Sequence, residues 1–189
     1  MIYAVSFKHT IPDGVISMDV TSRSNTWGKH FSPFNLGPVD LYDGHTAFNI
    51  ENAYQFAKVY EPYHSTVNEM PADHYWEWAQ AGWRNPKPIK YPMGVWNKPL
   101  YHWWDGKKLD HLQAQNQIFL PLYKKAVMKT SAFQRLKEMY ESKKEDIYLI
   151  DFEGYLHRYL DKTWDDVVND PNRPVGQAFA LAMILEGYL

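Results

Sequence analysis

The sequence predicts an α+β fold, predominantly helical with a small β-sheet. Three observations carry that expectation: two short β-rich segments open the chain, a single apolar strand stands near residue 150, and capped amphipathic segments fill most of the rest. Ile2–Phe7 and Val15–Val20 flank Pro12-Asp13-Gly14, a turn signature, and read as a hairpin. Residues 22–43 are too punctuated by Gly, Pro and Asn for a helix. Asn49 is a good N-cap for a helix from Ile50 to about Tyr60, ended by Pro62. Pro71 starts a second helix through Trp83. Residues 84–106 carry four prolines and read as a long ordered loop. A long helix is expected from about Lys107 towards Lys129, with a defect at Pro121. A further helix capped by Thr130 or Ser131 runs through Tyr140. Asp146–Phe152 is the central-strand candidate, and Asn172 is expected to cap the last helix.

Length and composition bound what such a fold can do. With 189 residues, 45% hydrophobic and 22% charged, the chain reads as one folded domain spanning 1–189. The absence of cysteine excludes a disulfide framework, a thiolate nucleophile and a Cys-ligated zinc. No leader is recognisable in the first residues, and no apolar run approaches the roughly 18 residues of a membrane span, so a cytoplasmic protein is expected. Eight scattered histidines show no metal-ligand spacing, and the ten glycines form neither a dinucleotide fingerprint nor a phosphate loop. No cofactor and no metal are therefore expected. The net charge of −2 rules out a uniformly basic nucleic-acid binder. Locally the balance differs: Arg84 to Lys129 holds nine basic residues against Asp105 and Asp110, interleaved with Tyr91, Trp96, Tyr101, Trp103 and Trp104. Such a block suits a phosphate-bearing partner, and a solvated loop face is the alternative.

The most informative segment is residues 31–60. If Ile50–Tyr60 is one helix, Glu51, Gln55 and Lys58 at i, i+4 and i+7 project from one face. Glu51 falls in the first turn, where free N–H groups and the helix dipole favour an ionised carboxylate. The spacing alone equally fits a solvated polar face.

The pattern D-G-x(6)-E-N-A-Y-Q-F-A-K, Asp43 to Lys58, preceded by F-S-P-F and G-P, resembles the signature of the NADAR superfamily. The likeness extends to Ser22–Asn25 and Gly28 upstream. Downstream it takes in a Trp/Asp pair (Trp164 with Asp165 or Asp166) and N-R-P-V-G from Asn172 to Gly176. Pro33 and Asn52 stand where the family usually has Asn and His, and 84–106 looks like an insertion. The resemblance implies a NADAR-like domain and an N-glycosidase that hydrolyses a ribosyl–base bond in a nucleotide, an ADP-ribose derivative or ADP-ribosylated nucleic acid, without a metal. It implies Glu51 as the carboxylate facing an oxocarbenium-like state, with Asp166 (or Asp165) assisting the water or holding ribose hydroxyls. Lys58 would orient Glu51 or meet a phosphate. Trp164 and one loop tryptophan, Trp104 in preference to Trp96 or Trp103, would stack the base. Asn172 and Arg173 would meet phosphate oxygens. Partners would be a nucleotide or ADP-ribose-type ligand and nucleic acid along 84–129, in a bacterial or phage-infected cell. The alternatives are a non-catalytic nucleotide or nucleic-acid binding module, and a transferase that moves the sugar onto nucleic acid.

Overall fold

The strand Ile147–Ile150 organises the N- and C-terminal thirds of the chain. In the computed structural model, which describes residues 1–189, it is β8 and lies between β1 (Ile2–Val5) and β2 (Ile16–Asp19), parallel to both. The expected hairpin between the first two strands is thus absent. The apolar I-Y-L-I run, buried over its first three residues, takes the central place, and each N-terminal strand bonds to it instead of to its sequence neighbour. A buried two-sided strand needs apolar side chains on both faces, which β1 and β8 supply and β2 does not.

The chain forms two compact units, one of residues 1–35 and 123–189 and one of residues 36–122. The first, the terminal unit, packs the β1–β8–β2 sheet with α5 (Ser131–Ser142), α6 (Trp164–Val168) and α7 (Gln177–Leu185). α7 is apolar all round, its first seven residues after Gln177 being buried, as befits a core helix. Thr130 rather than Ser131 caps α5, its hydroxyl accepting the Phe133 N–H at 3.1 Å. Asn172 does not cap α7. It sits in a turn, and Gly176 is the N-cap residue. Gly176 has no side chain to offer, and the buried Asp151 carboxylate fills the role by accepting the Ala178 N–H at 3.3 Å. A Cβ on Gly176 would lie 2.2 Å from that carboxylate, so only glycine admits it.

The second, central unit holds the ribbon of β3 (Val39–Asp40) and β4 (Thr46–Ala47), α1 (Ile50–Gln55), α2 (Asp73–Trp83) and a three-stranded antiparallel sheet. α1 is shorter than its pattern suggests. Phe56 is its C-cap, and Lys58–Val59 becomes β5, pairing with Tyr101–His102 of β6 (Tyr101–Trp104). The sheet partner overrides a helix propensity that Val59 weakens. Phe56 fills the space beside Gly82 of α2, where a Cβ would stand 2.0 Å from the ring. Asp105 and Gly106, both at positive φ, turn the chain into β7 (Lys107–Leu109), so the expected 84–106 loop ends at Leu100.

Asp110 then caps α3 (His111–Ala114) through a capping box. A π-helical segment, Gln115–Phe119, leads into α4 (Leu120–Val127), and this α4 carries the chain from the central to the terminal unit. The defect forecast at Pro121 thus takes the form of a widened turn just before it, which accommodates the missing N–H. The helix starts later than Lys107 because 107–109 is a strand. No helix is long and apolar enough to cross a membrane.

Candidate functional site

Glu51 lies in the first turn of α1 behind Asn49, whose side chain accepts the Asn52 N–H at 2.8 Å. The Glu51 carboxylate accepts the Gln55 side-chain N–H at 2.9 Å, and the Gln55 carbonyl oxygen accepts from Lys58 Nζ at 2.7 Å. One amide therefore bridges a carboxylate and an ammonium. The triad forecast on a single helical face is kept, although Lys58 reaches it from a strand.

Burial dominates the electrostatics here. Desolvation raises the Glu51 pKa above the usual carboxylate range, against the opposing pull of the Gln55 hydrogen bond, Lys90 and Lys58. Desolvation likewise lowers Lys58 to about 8, opposed by Glu51 and reinforced by Lys90. The Lys58 ammonium also stands 5.4 Å from the centre of the Tyr54 ring.

Tyr54 joins this triad to two histidines. Its ring is 5.0 Å from that of His102, and its hydroxyl meets His111 Nδ1 at 3.5 Å. His102, 2% exposed, is held neutral to about pH 3 by burial, then by Lys58 and His111, and its Nε2 has no hydrogen-bond partner. His111 is lowered by burial and Lys58, with Asp110 opposing. A buried, unpaired nitrogen thus stands beside a desolvated acid–base pair, a concentration of perturbed groups typical of functional sites.

Asn52 fixes the neighbouring loop. Its amide donates to the carbonyls of Asn85 and Lys87, both at 2.9 Å, and accepts from the Ile89 N–H at 2.8 Å. With those bonds the side chain holds three points of a five-residue stretch, and the next residue is Lys90. The sequence pattern assigned no role at this site to Lys90, His102 or His111, and marked Asn52 only as a departure from the NADAR pattern. A strand reading of Tyr101–Trp104 would have been the one available signal, since it sets His102 opposite Lys58.

The remaining forecast residues have local partners. Trp104 is half-buried with its ring 4.9 Å from Tyr42, Trp103 is buried, and Trp96 is 93% exposed. Trp164, Asp166, Asn172 and Arg173 belong to the terminal unit. Trp164 stacks on His157 at 4.0 Å and donates its indole N–H to Glu186 at 2.9 Å. Asp166 completes a capping box, accepting from the Thr163 N–H (2.8 Å) and hydroxyl (2.7 Å), which depresses its pKa. Asp165 accepts from the Tyr188 hydroxyl at 2.6 Å. Asn172 donates its N–H to Asp170, and Arg173 lies 4.4 Å over the Tyr155 ring instead of at a helix start.

The geometry defines a small mixed α/β protein whose central unit carries a desolvated carboxylate–amide–ammonium relay beside a neutral buried histidine. The chain belongs to the family of unknown function DUF6939, whose model matches residues 3–179. No curated protein matches it.

Proposed function

We propose that this protein is an N-glycosidase that hydrolyses a ribosyl–base bond in a nucleotide, an ADP-ribose derivative or ADP-ribosylated nucleic acid. The observation that carries the reading is Glu51, a half-buried carboxylate in a first helical turn, oriented by Gln55 and balanced by Lys58. The resemblance of Asp43–Lys58 to the NADAR signature supports it. Hydrolysis breaks the C1′–N bond and the electron pair leaves with the base. Water adds its oxygen to C1′ and keeps one proton there as the new hydroxyl, while the other passes to the departing nitrogen. The cationic sugar formed on the way is stabilised by a fixed carboxylate in a site of low dielectric. Lys58 and Lys90 supply positive charge for phosphate oxygens. The tested residue is Glu51, because the Asp166 carboxylate is engaged in its own helix cap.

A non-catalytic nucleotide-binding module is the second reading, favoured by that engagement of Asp166. Transfer of the sugar to nucleic acid uses the same cationic state. Incubation with ADP-ribosylated DNA, free nucleotides and NAD, followed by product analysis, separates the three: free base and free sugar, sugar joined to nucleic acid, or no turnover. A cytoplasmic setting in a bacterial or phage-infected cell suits a nucleotide substrate.

A further inference from the structure

Between Arg84 and Trp104 the chain has four basic residues (Arg84, Lys87, Lys90, Lys98) and no Asp or Glu, in a protein whose net charge is −2. All four are exposed. Within this run Trp96 is 93% exposed, and Val95 (62%) and Tyr91 (51%) accompany it. A tryptophan left in water forgoes burial worth about 1.5–3 kcal/mol for a large apolar side chain, so such a placement is informative where the backbone is firmly built.

The backbone is firmly built. The Gly94 N–H donates to the Tyr91 carbonyl at 3.0 Å, the Asn97 N–H to the Gly94 carbonyl at 3.4 Å, and the Asn97 amide to the Met93 carbonyl. Gly94 adopts φ 89°, which a side chain would resist. Beyond the turn, the Leu100 N–H is anchored to the Val59 carbonyl at 2.8 Å. The same turn walls a cleft of about 350 Å³ with Met93, Asn97 and Lys98 facing Tyr60, Glu61 and Pro62.

We propose that the 91–100 turn is a docking surface for single-stranded nucleic acid, with a base stacked on Trp96 and backbone phosphates met by Lys98, Lys90 and Lys87. A free indole face accepts any unstacked base, while the bases of a duplex hide theirs. Lys87 and Lys90 precede the tryptophan in the chain and Lys98 follows it, and all three are exposed cations available to phosphates. Asn97 and the polar part of the cleft offer hydrogen bonds to base edges, for which a lipid surface has no use. The surface shares Lys90 with the N-glycosidase reading, but stacking on Trp96 requires no chemistry, so an absence of turnover would leave it standing.

The experiment is fluorescence anisotropy of the full-length protein with a labelled oligo-dT 12-mer across a salt series. Trp96→Ala should weaken binding about 5- to 100-fold. Trp96→Phe should keep most of the affinity. Lys87→Gln and Lys98→Gln should each lower the magnitude of the log–log salt slope by about 0.7. Trp96 is exposed, so the melting temperature of Trp96→Ala should equal that of the wild type. The proposal fails if the wild type does not bind the oligonucleotide, if Trp96→Ala binds equally well, or if the paired duplex binds as tightly. It fails too if Trp96 matters only for capture by anionic phospholipid vesicles.

Discussion

The two units place their acids in different settings. In the terminal unit Asp165 and Asp166 are exposed acids held by Tyr188 and Thr163, Glu186 is held by Trp164 and Arg158, and the buried Asp151 accepts from the Ala178 and Phe152 N–H groups. In the central unit Glu51 takes one side-chain hydrogen bond, Lys58 is driven down to about 8, and His102 Nε2 has no partner. A saturated carboxylate contributes to folding, whereas an under-satisfied one in a desolvated setting keeps free energy available for a ligand. Under the hydrolase reading, the contrast sets a catalytic acid apart from structural ones.

The largest effect that sharpens this contrast is expected at Glu51. Under the hydrolase reading, Glu51→Gln should lower turnover at least about 10²-fold, equivalent to roughly 2.7 kcal/mol in the barrier. Thermal stability should change little, because a first-turn carboxylate contributes about 0.3–1 kcal/mol through the helix dipole. Turnover and melting measured on one preparation decide the matter. Full activity in a folded variant removes Glu51 from the mechanism.

In the terminal unit the signature should invert. Asp166→Ala removes the side-chain half of the capping box, leaves the residue-166 N–H on the Thr163 hydroxyl, and should lower the melting temperature slightly. Turnover per folded molecule should fall far less than for Glu51→Gln. A large loss of turnover without loss of stability would give Asp166 a chemical role and dissolve the distinction between the units.

The pH dependence follows from the same groups. Glu51 must be ionised and Lys58 charged, so turnover should rise with pH through a midpoint above the usual carboxylate range and fall above about 8. Lys58→Arg should abolish the alkaline limb, because arginine keeps its charge. Stability responds separately. His102 is held down to about 3 in the folded protein, so between that pH and its ordinary 6.5 the unfolded chain binds more protons. The folded state therefore loses stability as pH falls through that window, and His157 in the terminal unit, lowered to about 4, adds to the loss. Denaturant midpoints at pH 7 and pH 4.5 test the sign. The smallest effect is expected for Arg173→Ala, which removes its cation–π contact with Tyr155 and should cost about 0.5–1 kcal/mol. A drop in nucleotide affinity at unchanged stability would make Arg173 a ligand residue instead.

Local signals were legible and non-local ones were not. Asn49, Thr130 and the Ile147–Ile150 strand stand where short-range chemistry puts them, because a cap or an apolar run is decided within a few residues. The N-terminal hairpin fails because β8, more than a hundred residues away, outcompetes the neighbouring strand. Asn172 loses the last helix to Asp151, a carboxylate that the chain brings from another element. At the candidate site the i, i+4 pair Glu51–Gln55 was readable from spacing. The histidine beside it was not, since sheet pairing rather than sequence distance sets His102 opposite Lys58.

Asn52 has a thermodynamic consequence. Its amide makes the turn that carries Glu51 and the 85–89 stretch of the aromatic loop one hydrogen-bonded body. Asn52→Ala cuts that linkage without touching either surface. Losing the amide should therefore raise amide hydrogen exchange in the 85–89 stretch and in the first turn of α1 together, as for one cooperative unit.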